Sequence, residues 1–527
     1  MSNHIYLENS AFVLSGRTIV LYEKKTLDSL VQKSNNMFSI NNGKLKKYLC
    51  GKVLLFMRKE AREITSINNI LDLMGDGGMK VVKFGGSSLA SGQQLEKVLQ
   101  IIKEDDQRRV IVVSAPGKRN EHDTKVTDLL ISCGEKVLAG KDPGEEVGQI
   151  IERYANIARE LDLSSDIITQ IKEDFLELLA GSKENAHSFM EAVKASGEDN
   201  NAKLVANFLT ARGLKSVYVN PKEAGLIVTD EPGNAQVLPE SYDRLYSLRD
   251  YNDIIVFPGF FGYSKSGEVV TFSRSGSDIT GAILANGVKA SVYENFTDVD
   301  AVYSVNPAIV AQPKEISVLT YREMRELSYA GFSVFHAEAL IPAYRAGIPV
   351  HVKNTNNPAV PGTKIAAKRS NDNGPVVGIA NDKGFCSIYI SKYLMNKEIG
   401  FARRVLSILE EYGISYEHMP SGIDDLTIIL RQDQLLNVNE EELLNRIKED
   451  LNAEEAVIEH DLSLIMVVGE GMRHNVGTTS RAAKALAQAG VNIEMINQGS
   501  SEVSMMFGVK EQFAKEAVKA LYAEFFQ

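Results

Sequence analysis

A repeat of constant spacing near the C-terminus limits the possible folds of this chain more than any other feature. Residues 404–422 and 481–499 are offset by 77, and both copies carry Arg, Leu, Gly, Glu and Gly at equivalent positions. Each copy reads as a strand, a helix that ends at a glycine, a second strand, a turn and a third strand. That order suits a βαββαβ unit of about 70 residues, a size that often needs a neighbour to complete its core. We therefore expect two small modules that pack as a pair.

Between residues 79 and 368, apolar strand-like runs alternate with amphipathic helical segments. This alternation is typical of an α/β fold, in which a largely parallel sheet is buried between helical layers. The predicted strands are Val110–Ser114, Ser216–Val219, Ile254–Pro258, Val269–Phe272 and Ser291–Glu294. The predicted helices are Leu95–Glu104, Val147–Leu161 and Asp278–Asn286.

Residues 1–78 lack this alternation and mix short apolar runs with Asn-rich and Lys-rich stretches. Two interpretations remain open. The segment is either a poorly ordered N-terminal extension or sequence that lies upstream of the biological start. The sequence pattern changes abruptly at Met79, where a predicted strand begins at once, and this change favours Met79 as the biological start of the protein.

The charge and cysteine patterns exclude several functional classes. The whole chain has a net charge of −11, and residues 79–527 hold 47 basic against 62 acidic side chains. An acidic body of this kind argues against a nucleic-acid-binding face. The three cysteines have neither metal-ligand spacing nor a disulfide pattern, which is typical of a reducing cytoplasm. The sequence also has no apolar run of 18 residues and no signal-peptide pattern, so we expect a cytoplasmic protein without a membrane anchor.

A strand that runs into a glycine turn carries the first functional signal. Lys83 lies near the end of this strand, and Gly85 and Gly86 follow it. Glycines let backbone N–H groups approach phosphate oxygens, and a lysine can reach a transferring phosphoryl group. The turn is not a Walker A loop, and alone it is equally consistent with a tight strand–helix connection. Three further small-residue or polar segments accompany it, at 271–278, at 196–198 and at 112–115 with 127–130.

At these four segments the chain strongly resembles the aspartate kinases of the amino-acid kinase superfamily. The resemblance runs from Met79 to the C-terminus, includes 353–363 and 497–502, and is strongest with single-function bacterial enzymes that carry tandem ACT modules. It implies a three-layer kinase domain and two ferredoxin-like (βαββαβ) ACT domains. It also implies transfer of the ATP γ-phosphate, with Mg²⁺, to the β-carboxylate of L-aspartate. That reaction is the first step towards lysine, threonine and methionine.

The resemblance assigns roles to individual residues. Lys83 is the phosphoryl-stabilising lysine, and Asp278 orients the reacting groups. Arg274 grips the α-carboxylate of aspartate, and Glu198 pairs with its α-ammonium. Further substrate contacts are implied at Ser114, Thr127 and Ser277, and nucleotide contacts at Gly85, Gly86, Ser87, Thr297, Asp298, Tyr303, Asn306 and Pro307. No protein metal ligand and no general base are expected, because a carboxylate is already a nucleophile at neutral pH.

The chain departs from the family pattern around the nucleotide. Many members carry an arginine at the position of Ala308, a lysine at Ser333 and a proline at Ala337. Two of these departures remove a cation that would approach the nucleotide.

By the same resemblance, the first ACT module binds an effector amino acid. The implied contacts are Ser391, Tyr393, Leu394, Tyr416, Glu417 and Ser421. A carboxylate at Glu417 suits the ammonium of lysine, the first choice of effector, with threonine alone or jointly as the second. Glu494 occupies the equivalent repeat position, so a purely structural role for Glu417 stays open. Paired ACT modules also imply a homodimer or a larger assembly.

The predicted domains are an extension at 1–78, a kinase domain at 79–368, and ACT domains at 376–452 and 461–527. Two other functions remain open from the sequence. One is another amino-acid kinase of the same fold, acting on acetylglutamate or glutamate. The other is a non-catalytic amino-acid-sensing regulator.

Overall fold

The computed structural model describes residues 4–7, 10–15, 18–23, 78–332, 338–370, 374–499 and 503–527. The chain divides into two units, Met1–Asp76 and Gly77–Gln527. In the first unit the described residues form an antiparallel sheet of β1 (His4–Leu7), β2 (Ser10–Ser15) and β3 (Thr18–Glu23). Most of residues 1–78 lie outside the described ranges. The expected disorder of this segment and the expected start at Met79 therefore stay predictions.

An eight-stranded sheet forms the centre of the kinase region. Its order is β13-β15-β14-β10-β4-β5-β7-β6, and every neighbouring pair is parallel except β14 and β15. These strands are β4 (Lys80–Phe84), β5 (Arg108–Val113), β6 (Ser216–Tyr218), β7 (Ile254–Pro258), β10 (Val292–Thr297), β13 (Val318–Thr320), β14 (Val350–Asn354) and β15 (Thr363–Ala366). Two small hairpins join β8 (Phe261–Tyr263) to β9 (Val269–Thr271) and β11 (Val302–Tyr303) to β12 (Glu315–Ile316). The prediction of a mostly parallel sheet is confirmed.

Helices cover both faces of this sheet. Successive residues of a strand point to opposite faces, so Val82 packs in one apolar cluster and Val81 in another. The first cluster lies under α1 (Gly92–Lys103), α2 (Val126–Leu138), α3 (Gly144–Glu160), α4 (Asp166–Ala180) and α5 (Ala186–Ala211). The second lies under α6 (Pro221–Ala224), α7 (Glu240–Leu245), α8 (Gly276–Gly287), α9 (Tyr321–Tyr329) and α10 (Ile341–Ala346). The predicted three-layer arrangement is therefore confirmed.

The helix starts differ from prediction by two or three residues. Helix α1 begins at Gly92 rather than at Leu95, because the Ser91 hydroxyl accepts a hydrogen bond from the Gln94 N–H and caps the helix. Helix α3 begins at Gly144 rather than at Val147. Apolar periodicity reports the buried face of a helix, whereas the first turn often carries polar residues that the periodicity does not detect.

The C-terminal repeat builds one continuous antiparallel sheet in the order β17-β16-β18-β20-β19. Its strands are β16 (Gly378–Ser391), β17 (Asp425–Arg431), β18 (Glu455–Val468), β19 (Met495–Asn497) and β20 (Ser504–Lys510). Its helices are α11 (Phe401–Glu411), α12 (Glu440–Leu451), α13 (Thr478–Gln488) and α14 (Ala514–Phe526). Gly413 and Gly490 follow α11 and α13, and both have φ of +70°. The two glycines therefore occupy the same left-handed position that terminates each repeated helix.

The two long strands are shared between the ACT modules. A register shift between Lys383 and Phe385, at Gly384 with φ of +78°, divides β16 into two halves. The N-terminal half places Ile379 in the core of α13 and α14, and the C-terminal half places Ile388 in the core of α11 and α12.

This sharing corrects the sequence-based division at 376–452 and 461–527. Residues 376–382 contribute to the second module, although they precede the whole first module, and residues 455–460 complete the first. A linear repeat analysis misses such an exchange, because the two halves of each strand are continuous in sequence. Within the described residues, no helix combines the length and the apolar character needed to cross a bilayer.

Substituting one side chain in each half of β16 tests the exchange. We expect Ile379→Ala to reduce amide protection around Val467 and Phe507, and Ile388→Ala to reduce it around Ile428 and Leu430. Each truncation leaves a cavity in a different core and costs about 2–5 kcal/mol. Hydrogen exchange with mass spectrometry measures both variants. Loss of protection in the first module on Ile379→Ala would contradict the assignment.

Candidate active site

The predicted site segments meet at one edge of the parallel sheet. Strands β4, β5, β7 and β10 are neighbours, and their carboxyl ends therefore lie side by side. Open α/β sheets bind ligands at this edge. Lys83 comes from β4, Ser114 follows β5, Gly259 follows β7 and Thr297 ends β10. The structure thus brings together side chains that are up to 214 positions apart in the sequence.

The glycine turn after β4 is built for close backbone contact. The Gly117 N–H donates to the Gly86 carbonyl at 2.8 Å. A Cβ on Gly86 would lie 2.9 Å from the Ala115 carbonyl oxygen, and a Cβ on Gly117 would lie 2.6 Å from the Gly86 carbonyl carbon. Neither position can hold a side chain without moving the other loop, which explains why small residues occupy both.

The prediction for Gly85 needs a correction. Its N–H donates to the Phe296 carbonyl at 3.1 Å, so this amide extends the sheet ladder and is not available to a phosphate. The N–H groups of Gly86 and Ser87 make no backbone hydrogen bond to the described residues and open a short 3₁₀ turn. The amides that remain for an anion are therefore those of Gly86 and Ser87.

A buried arginine that the sequence analysis missed fixes the loop opposite this turn. Arg153 on α3 donates to the Gly117 carbonyl at 2.8 Å and to Asp123 Oδ1 at 2.6 Å. Asp123 also pairs with Arg119, whose hydrogen bonds hold the pKa of the Asp123 carboxyl far below its usual range. Nothing in the local sequence marks Arg153, because its partners lie about 30 residues earlier.

Lys83 and Asp278 form a buried ion pair. Lys83 Nζ lies 2.6 Å from Asp278 Oδ1, and both side chains are about nine-tenths buried. Asp278 belongs to the first turn of α8, whose N-cap Ser275 has φ of +61° and makes no side-chain cap. The carboxylate therefore contacts Lys83 instead of capping its own helix. Asn295, which was not predicted, donates to the same Oδ1 at 2.6 Å.

Glu198 lies at the middle of α5 and not at a helix start. Helix α5 runs from 186 to 211. At this mid-helix position the carboxylate is too far from the helix N-terminus to interact with its partial positive charge. Close packing requires glycine at position 197, because a Cβ there would lie 2.9 Å from Leu130 and 3.0 Å from Ala115. This glycine lets the helix approach the end of β5.

The Glu198 carboxyl is buried and only partly satisfied. It accepts a hydrogen bond from the Ala115 N–H, whereas its Oε2 has no partner among the described residues. Burial raises the pKa of this carboxyl to about 8, against the opposing effects of the amide bonds and of the Lys83 charge. A buried oxygen without a partner invites a hydrogen-bond donor from a ligand.

The other predicted substrate residues lie after β5, in the first turn of α2, and just before and at the start of α8. The Ser114 carbonyl accepts from Asn201 Nδ2 at 2.6 Å, and Thr127 is half-buried in the first turn of α2. Ser277 is buried under Gly259, where a Cβ would lie 2.5 Å from the Ser277 hydroxyl. Arg274 is exposed in the loop between β9 and α8 and forms no ion pair with the described residues. Its guanidinium is available to a ligand anion.

The predicted nucleotide residues follow β10. Thr297 Oγ1 donates to Asp298 Oδ1 at 3.2 Å, and Tyr303 is half-buried on β11. Asn306 and Pro307 are exposed, and Asn306 Oδ1 accepts from the Ala308 N–H at 2.9 Å, so the asparagine stabilises its own turn. Ala308 is exposed and offers no cation in place of the arginine. Ser333 and Ala337 lie outside the described residues.

The predicted effector residues divide into two groups. Ser391, Tyr393 and Leu394 lie beside the 421–424 turn, where the Leu394 N–H donates to Asp424 Oδ1 at 2.8 Å and Ser421 pairs with Leu426. Tyr393 and Leu394 are exposed, and Tyr416 is exposed further along the chain. Glu417 belongs to the second group, since its N–H bonds to the Ile429 carbonyl on the far part of β17.

The Glu417 carboxylate already has partners within the chain. It accepts a hydrogen bond from the Tyr329 hydroxyl on α9 and lies 3.9 Å from Arg431 Nε. His418 stacks edge-on against Tyr329 and contacts Asn497 Nδ2 at 3.2 Å. Glu417 therefore lies at a junction of the kinase region and both ACT modules, rather than beside Ser391.

Comparisons with known proteins follow the same division of the chain. The model of the amino acid kinase family matches residues 78–354, and an ACT domain model matches residues 465–525. The chain is 68% identical to aspartokinase 3 of Bacillus subtilis (strain 168) over 448 residues, which cover 85% of this chain and 99% of that protein.

The chain is also similar to solved structures of aspartate kinases. The aspartate kinase of Clostridium acetobutylicum, described as an allosteric enzyme, aligns with a TM-score of 0.76 at 38% identity. The alignment covers 85% of this chain and 100% of that one. The E. coli aspartokinase III, solved with lysine and aspartate, shares the fold at a TM-score of 0.66 and 24% identity over 85% of this chain and 100% of that one.

The raised pKa of Glu198 predicts a pH-dependent difference in stability. The folded protein keeps this carboxyl protonated up to about pH 8, whereas the unfolded chain ionises it near the ordinary glutamate pKa of 4.5. The contribution of the Glu198 carboxyl to the free energy of unfolding is therefore complete below about pH 4.5, and it is lost as the pH rises to about 8. We expect the free energy of unfolding of the parent to fall by about 1 kcal/mol per pH unit relative to Glu198→Gln in this window. Denaturant titrations at pH 5.5, 7 and 8.5 measure the free energy of unfolding of both proteins. The same pH dependence in the parent and in Glu198→Gln would contradict the prediction.

Proposed function

The chain belongs to the aspartokinases of the amino acid kinase family, and we propose that the cleft at the carboxyl edge of its sheet carries out their reaction. The protein is an aspartate kinase that transfers the γ-phosphate of ATP to the β-carboxylate of L-aspartate, giving 4-phospho-L-aspartate and ADP, and it is regulated through ACT domains. The observation that supports this location best is the unpartnered buried oxygen of Glu198, close enough to Lys83 for the two charges to interact.

Glu198 and Arg274 hold the two backbone ends of aspartate in this proposal. The α-ammonium donates to Glu198 Oε2, which satisfies the buried oxygen and favours the ionised carboxylate. The exposed Arg274 guanidinium receives the α-carboxylate in a bidentate contact. Ser114, Thr127 and Ser277 complete the walls. The side-chain carboxylate then points toward Lys83.

The phosphates of ATP occupy the glycine turn. The amides of Gly86 and Ser87 bind phosphate oxygens, and Lys83 neutralises charge on the transferring phosphoryl group. Thr297, Asp298, Tyr303, Asn306 and Pro307 border the nucleoside part. No general base is needed, because the acceptor carboxylate is ionised at neutral pH.

Mg²⁺ fits this site as a companion of the nucleotide. The described residues contain no group of three or more His, Cys, Asp or Glu side chains that could hold a metal. Mg²⁺ keeps several waters and commonly binds through one or two carboxylates and substrate phosphates, so a protein cage is not required. Asp278 has one oxygen that neither Lys83 nor Asn295 uses. Bound there, the ion would neutralise phosphate charge.

The two other hypotheses from the sequence are not supported. High identity to an aspartokinase over nearly the whole of that protein disfavours an acetylglutamate or glutamate kinase. The buried Lys83–Asp278 pair and the open Glu198 oxygen form a prepared site, which a non-catalytic regulator would not need.

We further propose lysine as the effector, with threonine alone or jointly as the second candidate. The E. coli relative was solved with lysine, and the 391–394 segment of this chain lies beside the 421–424 turn, where the Leu394 N–H donates to Asp424 Oδ1. The Glu417–Tyr329 contact connects this module to α9 of the kinase region. An effector that binds one conformation more tightly shifts the population toward it.

A homodimer through the ACT modules is the proposed assembly. Ile399 and Val476, which are equivalent in the 77-residue repeat, are 99% and 100% exposed. Tyr393, Leu394 and Ile423 are further exposed apolar side chains of the first module. A second copy of the chain would cover it. The buried thiols of Cys133 and Cys386 are unpaired among the described residues, and we propose the cytoplasm as the compartment.

Substitution of Lys83 tests the proposed site against a matched lysine on the same strand. We expect Lys83→Met to lower kcat by at least about 100-fold, because a preorganised charge on the phosphoryl group is lost. Lys80→Met is the control, since Lys80 pairs with Asp105 at the other end of β4 and should change kcat by less than about threefold.

A coupled assay of ADP release with hydroxylamine trapping, Mg²⁺-ATP and L-aspartate measures both variants. Acetylglutamate and glutamate serve as alternative acceptors. Equal activity of Lys83→Met and Lys80→Met would remove the site assignment.

Glu417→Gln tests the proposed link between effector and kinase. We expect the lysine concentration for half-inhibition to rise about fivefold or more, because a neutral amide accepts more weakly from the Tyr329 hydroxyl and no longer attracts Arg431. Tyr329→Phe should act in the same direction. Glu494→Gln is the control at the equivalent repeat position, where the carboxylate accepts from Asn492. A lysine response equal to that of the parent in an active Glu417→Gln enzyme would exclude this role.

A further inference from the structure

We propose that Asn295 is a positioning residue for phosphoryl transfer, which holds the Asp278 carboxylate while Lys83 exchanges between Asp278 and the phosphate. The inference rests on the proposed roles of Lys83 and Asp278. It adds a residue that the glycine and G-S-D segments of the sequence do not contain.

The strand register brings Asn295 to the ion pair. Asn295 on β10 is the direct neighbour of Lys83 on β4, and parallel neighbours in register present their side chains to the same face. Asn295 Nδ2 donates to Asp278 Oδ1 at 2.6 Å, and Lys83 Nζ lies 2.6 Å from that same oxygen. One carboxylate oxygen therefore receives both an amide and an ammonium donor.

Tyr293 fixes the orientation of the Asn295 amide. The Tyr293 hydroxyl donates to the Asp278 carbonyl at 3.2 Å, so its remaining capacity toward Asn295 is as an acceptor. It accepts from Asn295 Nδ2 at 3.1 Å. The amide nitrogen, rather than the amide oxygen, thus faces Asp278. Both side chains are buried, so bulk solvent does not compete for either bond.

This arrangement matters when Lys83 moves toward a phosphate. Asp278 is 7% exposed, and a buried carboxylate that loses its cation is costly unless another donor remains. Asn295 stays bound to Oδ1 and keeps the carboxylate in place without adding a positive charge that would compete with Lys83. Removing the amide should hold Lys83 more tightly on Asp278 and slow the chemical step.

The consequence falls on kcat and not on aspartate binding. Asn295 bonds to Asp278 and Tyr293 and contacts neither Glu198 nor Arg274 by any hydrogen bond among the described residues. A loss of mere structural support would instead lower stability and affect KM and kcat together.

The principal variant is Asn295→Leu, which removes both donors at similar volume. We expect kcat to fall about tenfold or more, as for loss of a hydrogen bond to a charged group, with KM for aspartate within about twofold of the parent. Asn286→Leu is the control, because this buried asparagine bonds to the Pro342 carbonyl and lies at the C-terminal end of α8, about two turns beyond Asp278. Thermal unfolding is measured for each variant.

The pH dependence of kcat in Asn295→Asp distinguishes a positioning role from a purely structural role. The introduced carboxyl repels Asp278 when ionised and donates a hydrogen bond when protonated. We therefore expect kcat of this variant, relative to the parent, to recover as the pH falls from 9 to 6, whereas Asn295→Leu shows no such recovery. If Asn295→Leu does not fold, Tyr293→Phe replaces it, with an expected severalfold fall of kcat at unchanged KM.

The outcomes separate this inference from the proposed function. Parent-like kcat in the Asn295 and Tyr293 variants, with Lys83→Met inactive, would overturn the positioning role alone. So would a kcat loss in Asn286→Leu equal to that in Asn295→Leu. Full activity of Lys83→Met would overturn the proposed site itself.

Discussion

The buried ion pair between Lys83 and Asp278 is the contact on which the rest of the site depends. It joins β4 to the first turn of α8, so it fixes a strand relative to a helix that follows it by nearly 200 residues. Separating two buried opposite charges is costly, because each would be left without a partner and without water. The pair therefore holds the segments that carry it at a fixed distance. The glycine turn, the end of β10 and the α5 face that carries Glu198 all pack around this pair.

Much of this organisation follows from local sequence patterns. Apolar runs that alternate with amphipathic helices identify a parallel sheet, and the carboxyl edge of such a sheet is where Lys83, Ser114 and Thr297 must converge. The equal spacing of Gly413 and Gly490 identifies the paired modules, because a left-handed helix end requires glycine at the same point of each copy.

Other features depend on contacts that a linear pattern does not contain. Asn295 is one polar residue within a buried strand, and its role becomes visible only when the register places it beside Lys83. Glu198 follows Ser196 and Gly197, residues that disfavour a helix interior, yet it lies within a long helix, because close packing against Leu130 and Ala115 requires a glycine there. Glu417 and Gly85 already have partners inside the chain, which only tertiary structure supplies.

The division of β16 and β18 between two cores has a mechanical consequence. A protease that cut the chain between the two ACT modules would release neither of them, because each strand remains hydrogen-bonded in both halves of the sheet. We therefore expect the two modules to unfold together as one unit. A displacement of one core is transmitted along a covalent strand into the neighbouring core, and no separate hinge is required between them.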